Sequence, residues 1–332
     1  MPRTIRNSVV VVTGASSGIG RATALEFAKE GARVVLASRS KSALEDVADE
    51  CSERGGEALV VRTDVTNEKE VEELARKTES KFGRIDVWVN NAGVGLYSRF
   101  EDTPREAYER LLATNLRGVI HGARAAIRQF RKQGNGVLIN ISSQVAIGGF
   151  PYNSYYSVSK FGVRMLGNSL RQELLGTDID VCTVLPASTD TPFFEHAANY
   201  MGRAVQPVGS IDTPERVARD IVETARNPKR EVMVAKTGHA LTAVATAAPK
   251  VYNRVIRRTT EKKHFEDRSV SETIGNLSKP RGPFAISGGW RERKGNGGKI
   301  AAIVSIAVAG AGTALLLRRR ATNRSERWQR AA

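Results

Sequence analysis

The chain has 332 residues, with 51 Lys/Arg against 35 Asp/Glu and a net charge of +16. That length buries one large core, and two distant cysteines, Cys51 and Cys182, exclude a disulfide framework and suit a reducing compartment. The charge is uneven: 19 Lys/Arg and 6 Asp/Glu lie from Lys250 onward, against 32 and 29 before it. The N-terminal MPRTIRNSVVVVTG lacks the apolar run and cleavage site of a signal peptide, so no leader is expected.

In chain order, SVVVVTG is strand-like and RATALEFAKEGA is helical, stopping at Gly31. RVVLAS is a strand, KSALEDVADECSERGG a helix with a glycine stop, and ALVVRTDV a strand. NEKEVEELARKTESKFG is helical, and IDVWVNNAG is a strand ending in a turn. GVLINISS and IDVCTVLP continue the alternation, and the domain is expected to span residues 1–235, closing after EVMVA. Near-continuous apolar strands between helices mean a parallel sheet covered on both faces. The expected fold is α/β, a doubly wound three-layer α/β/α sandwich of the Rossmann type, followed by a C-terminal helical extension.

Two local patterns carry chemistry. TGASSGIG, Thr13 to Gly20, follows the first strand and opens the first helix. Gly14 allows a tight turn, and Gly18 and Gly20 let the backbone approach a pyrophosphate at the helix N-terminus. At the end of the second strand LASRS offers Ser38 and Arg39 and no acid. A carboxylate there would hold a ribose 2′-hydroxyl, whereas an arginine fork suits a 2′-phosphate. The expectation is NADP(H) rather than NAD(H). In NSYYSVSK, Tyr156 and Lys160 are four apart and share a helix face, while Tyr155 points off it. A free phenol titrates near 10, and a neighbouring ammonium is expected to lower that value.

These motifs in this order resemble the short-chain dehydrogenase/reductases over roughly residues 5 to 235. TGASSGIG resembles the family's cofactor turn, where Ser16, Ser17 and Ile19 join Gly14, Gly18 and Gly20. NNAG resembles the motif closing the fourth strand, where Asn91, Ala92 and Gly93 would line the adenosine side. ATNLRG supplies Asn115, ISS supplies Ser143 and YSVSK supplies Tyr156 and Lys160. The resemblance implies Tyr156 as proton donor in reduction, with Lys160 tuning it and holding the nicotinamide ribose. Ser143 would hold the substrate oxygen, with Ser142 its rival, and Asn115 would position a water leading from Lys160 to solvent. Asp64 and Val65 would meet the adenine, and Pro186 and Thr191 of LPASTDTP the carboxamide side. Ala187 stands where the family usually has glycine, which puts that loop's geometry in question. The implied reaction interconverts a carbonyl and an alcohol, with no metal.

Pro192 to Glu215 would form a lid, and its Phe193, Phe194, Tyr200 and Met201 suggest an apolar substrate or simple packing of the lid. Residues 236–258 place Leu241, Val244, Ala248, Val251, Tyr252 and Val255 at helical spacing beside basic residues. This amphipathic helix either packs on the domain or lies on a membrane, and Pro249 kinks it or begins a second helix. Residues 259–299 are polar and read as a largely disordered linker. Ile300 to Leu317 is 18 uncharged residues, ~27 Å as a helix, and is expected to span a membrane. Residues 318–332 form a basic tail whose six arginines outnumber the four Lys/Arg just before the span. That excess would keep the tail cytosolic, in conflict with a cytoplasmic catalytic domain. Without aromatic interleaving the tail does not suggest nucleic-acid binding. A homo-oligomer is expected from the family. The competing function is a non-catalytic NADP(H)-binding, membrane-attached sensor or adaptor.

Overall fold

The structure, a computed structural model, describes residues 2–235 and 237–293. The expected membrane span 300–317 and the basic tail 318–332 lie outside them. The elements in chain order are β1 (Val9–Thr13), α1 (Gly18–Lys29), β2 (Arg33–Ser38), α2 (Lys41–Glu53), β3 (Glu57–Arg62), α3 (Glu68–Phe82), β4 (Val87–Asn90) and β5 (Leu96–Tyr97). Next come α4 (Arg105–Leu112), a π-helical turn (Ala113–Arg117), α5 (Gly118–Gln133), β6 (Asn135–Ile141), α6 (Ser154–Glu173) and β7 (Asp178–Leu185). The segment expected as a lid follows as α7 (Phe193–His196), β8 (Ala198–Asn199) and β9 (Arg203–Val205). The chain continues through α8 (Pro214–Arg226), β10 (Glu231–Met233), α9 (Thr237–Ala247), α10 (Pro249–Lys263), β11 (Phe265–Ser269) and α11 (Trp290–Arg293).

Seven strands form one parallel sheet in the order β10-β7-β6-β4-β1-β2-β3. The Rossmann-type α/β expectation therefore holds. Side-chain alternation divides the core between the two faces. Val10 and Val12 of β1 face Leu25, Phe27, Val217 and Ile221 of α1 and α8. Val9 and Val11 face Val71, Leu74, Ala126 and Phe130 of α3 and α5. Local signals set the ends of the helices. Asn67 caps α3 by accepting from Lys69 N at 3.1 Å, and Gly83 stops it at φ 78°. Thr213 caps α8 by accepting from Arg216 N, with Pro214 in the first turn, where no backbone donor is needed.

The strand order reverses between β1 and β4, which opens a crevice at the carboxyl ends of these strands. The C-terminal region differs from expectation. Pro249 begins a second helix, so the single helix over 236–258 is two, α9 and α10. Nor is 259–293 a free linker: α10 runs to Lys263, and β11 pairs antiparallel with β9. Residues 273–290 then cross the crevice, held chiefly through main-chain groups, which composition does not reveal. Among the described residues no helix is long and apolar enough to cross a membrane.

Phe130 is fully buried beneath Gly136, where an added Cβ would lie 2.2 Å from its ring. Phe130→Ala should cost about 3–5 kcal/mol, read as a fall in the urea midpoint at unchanged slope. A loss below about 1 kcal/mol would contradict this account of the α5 face.

Candidate active site

The crevice holds a cavity of about 550 Å³. Every site residue expected from the sequence lines it except Asn115, which lies just beneath. Thr13 ends β1 and its hydroxyl accepts from Asn91 N and Ala92 N at 3.0 and 3.1 Å. The Asn91 amide donates to the carbonyls of Thr13 and Gly14 at 2.9 and 3.3 Å. Gly14 has φ 68°, and a Cβ on Gly20 would lie 2.1 Å from the Gly14 carbonyl. No other residue type fits this turn without displacing it. Ser16, Ser17 and Ile19 share its rim.

On the cavity wall, Asp64 closes a turn by accepting from Thr66 N and Oγ1 at 3.0 and 2.8 Å. Val65 lies beside it, and Ser38 and Arg39 line the same cavity. The Arg39 guanidinium donates to the carbonyls of Asn276 and Leu277 at 2.7 and 3.1 Å. Burial lowers its pKa, and the Asp64 carboxylate opposes that shift. The guanidinium has five N–H groups, so these two bonds leave capacity for an anion. The Gly18 N–H donates to the Ala285 carbonyl at 3.0 Å. The donors thus fit a dinucleotide in kind and position, although the C-terminal segment shares two of them.

Tyr156 lines the cavity, whereas Tyr155 lies outside it, stacked between Tyr108 and Phe100 at 4.6 and 5.1 Å. Lys160, only 4% exposed, lies one helical turn from Tyr156, with its ammonium 5.7 Å from the tyrosine ring centre. Its Nζ donates to the Ile141 carbonyl at 2.9 Å. Burial pulls the Lys160 pKa down to about 8. Burial also pushes Tyr156 up to about 12, partly offset by a hydrogen bond with Ser143. The lowering of the phenol expected from the lysine is therefore not found: burial sets the direction of the shift, and Ser143, not Lys160, supplies the opposing influence.

The two serines separate by partner. Ser142 is buried and donates to the Lys160 carbonyl at 2.7 Å, while Ser143 faces Tyr156. Asn115 is fully buried in the π-helical turn. Its amide exchanges bonds with the Val94 backbone at 2.8 and 2.9 Å, so its side chain is committed to that loop. Pro186 and Thr191 line the cavity, and Ala187 keeps a negative φ, so alanine needs no glycine conformation there.

Residues 8–201 match the family described as short chain dehydrogenase. The chain is a short-chain dehydrogenase/reductase. It is thus an oxidoreductase of a family that binds a nicotinamide cofactor. It is 36% identical over 260 residues to the uncharacterized oxidoreductase YxnA of Bacillus subtilis, covering 76% of this chain and 72% of that one. It resembles the alcohol dehydrogenase of the archaeon Thermococcus sibiricus complexed with 5-hydroxy-NADP. That likeness has TM-score 0.61 at 29% identity, over 68% of this chain and 95% of the other. It also resembles the 3-ketoacyl-(acyl-carrier-protein) reductase of Brucella melitensis complexed with NADH. There the TM-score is 0.62 at 30% identity, over 69% and 97%.

Other cavity residues were not expected as site residues. Leu241 and Val244 of α9 and Val251, Val255 and Ile256 of α10 form an apolar wall. The helical periodicity of all but Ile256 was legible, but not the cavity that they face. Phe150, Phe194 and His264 add an aromatic cluster, with Phe150–His264 and Phe194–His264 centroids 5.8 and 6.2 Å apart. In the segment expected as a lid, Phe193 and Phe194 face the cavity, whereas Tyr200 and Met201 pack on the domain.

Proposed function

We propose that this short-chain dehydrogenase/reductase interconverts carbonyl and alcohol groups on an extended apolar substrate with NADP(H). The observation that carries this reading is one cavity lined both by Tyr156, Lys160 and Ser143 and by the apolar wall of α9 and α10. Bound NADPH would supply hydride. Gly14, Ser16, Ser17, Gly18, Ile19 and Gly20 would hold its pyrophosphate, and Asp64, Val65, Asn91, Ala92 and Gly93 its adenosine. Pro186 and Thr191 would hold its carboxamide side. Arg39, with Ser38 beside it, and the absence of an acid at this strand end support NADP(H) over NAD(H). Ser143 would fix the substrate oxygen, and Tyr156 would give it a proton. Lys160 would hold positive charge beside the phenol, and Asn115 would keep the π-helical turn beneath them in shape.

An exposed apolar stripe on α6, formed by Val158, Phe161 and Met165, supports a homo-oligomer. The uncharged stretch 300–317 supports membrane attachment, with the catalytic domain on the cytoplasmic side where the cofactor is found. The competing reading, a membrane-attached non-catalytic sensor or adaptor, requires that loss of Tyr156 leave function intact.

Tyr156→Phe should lower the rate of NADPH-dependent reduction of apolar aldehydes by about 100- to 10,000-fold. Unchanged turnover would overturn the assignment. With Tyr156 pushed up to about 12, the donor stays protonated across the assay range, while Lys160 loses its charge near 8. The reductive kcat/KM should therefore fall as pH rises through about 8. Arg39→Ala should cut the preference for NADPH over NADH by at least about tenfold, the weight of a charge-assisted contact. An unaltered ratio would remove Arg39 from the 2′-phosphate site.

The wall makes a separate prediction. Val255→Trp should reduce kcat/KM for dodecanal at least about tenfold and leave propanal within about twofold. Equal effects on both would show that the wall does not meet the substrate.

A further inference from the structure

Residues 273–290 run from the lid to the cofactor turn and back to the Thr191 loop. At the lid, Asn199 and Thr273 exchange backbone bonds of 2.8 and 3.0 Å, and Asn276 N donates to the His196 carbonyl at 2.8 Å. Over the crevice, the carbonyls of Asn276 and Leu277 accept from Arg39. The Phe284 carbonyl accepts from Arg21 at 2.7 Å, and the Ala285 carbonyl from Gly18 N at 3.0 Å. The far end is anchored on Asp190, whose carboxylate accepts from Ser287 Oγ and Trp290 N at 2.9 and 2.8 Å. The Trp290 indole donates to the Thr191 carbonyl at 3.1 Å. Leu277 and Trp290 are buried, 4% and 3% exposed, while residues 279–283 between them are exposed.

We propose that this segment is a strap that competes with the dinucleotide for its binding groups and must lift for the cofactor to enter. The proposal rests on the nicotinamide reading of the crevice. The Gly18 N–H has one proton, and a phosphate oxygen placed on it must displace the Ala285 carbonyl. The Arg39 fork is likewise engaged, by Asn276 and Leu277. Phosphate is the stronger acceptor because it is charged, so the exchange is downhill at the donors and is opposed by the anchors. The strap is incompletely satisfied where it crosses: Asn276 Oδ1 is buried with no hydrogen-bond partner, which favours release. With the strap closed in most molecules, the apparent cofactor affinity is the intrinsic affinity reduced by the open fraction. Loosening the anchors removes that reduction without substituting any residue assigned to the cofactor.

Trp290→Ala removes the buried anchor. Ser287→Ala loosens the strap by a different route, since it removes the side-chain bond to Asp190 without meeting Thr191. Both full-length variants and the wild type are titrated with NADPH by its fluorescence, and amide exchange over 276–290 is followed with and without NADPH. Each variant should bind NADPH at least about fivefold tighter, and NADPH should speed exchange of the wild-type strap. Equal or weaker binding by both variants, or a wild-type strap slowed by NADPH, would overturn the proposal and make the segment a clamp that closes on the cofactor. If no form binds NADPH or NADH, the nicotinamide reading itself fails and the strap proposal falls with it.

Discussion

The Asn91 side chain reaches across from the end of β4 to the Thr13 and Gly14 carbonyls at 2.9 and 3.3 Å. Thr13 answers by accepting from Asn91 N and Ala92 N at 3.0 and 3.1 Å. This bridge lies where the strand order reverses, so it fixes the width of the crevice in which everything else is arranged. Its tolerance is narrow on the α1 side. A Cβ on Gly20 would lie 2.1 Å from the Gly14 carbonyl and 2.5 Å from Asn91 Nδ2. The glycine turn, the close of β4 and the start of α1 are therefore one mechanical unit.

On the other side of the crevice the controlling effect is desolvation. Lys160 is buried against the Ile141 carbonyl, and an ammonium with so little water loses part of its preference for the proton. The same burial resists ionisation of Tyr156. In the protein alone the two shifts oppose separation of charge, leaving a protonated phenol beside a lysine that titrates near 8. That state suits a proton donor better than a base, and the Ser143 hydrogen bond is the local influence pulling the phenol the other way.

The fold was legible because its signals are local. Runs such as VVVVT are buried on both faces, and Gly31, Gly55 and Gly83 take the positive φ that ends a helix or turn. The candidate site was legible because its spacing is local too, as with Tyr156 and Lys160 one helical turn apart. The serine pair was separable only through the family resemblance, which favours Ser143: Ser142 and Ser143 are adjacent and differ in what lies beyond, the Lys160 carbonyl or the Tyr156 phenol. Least legible was the polar stretch after Lys263. Its grip on the domain runs through the carbonyls of Asn276, Leu277, Phe284 and Ala285, which any residue supplies. Trp290, a large apolar residue among glycines and charges, was a side-chain signal, but the partner of its indole, the Thr191 carbonyl, is 99 positions away.

The strap also ties together parts of the site that the family's chemistry treats separately. Its first end is bonded to the lid at His196 and Asn199, and its second to the loop of Asp190 and Thr191. Between these ends it meets the two donors suited to a dinucleotide, Gly18 and Arg39. In the proposed scheme, a cofactor that displaces the middle of the strap pulls on both ends. The lid carries Phe193 and Phe194, which face the cavity, so strap release also loosens the substrate side. Coupling of this kind is reciprocal. A bulky apolar ligand that shifts the lid weakens the strap's hold and raises the affinity for the dinucleotide by the same factor.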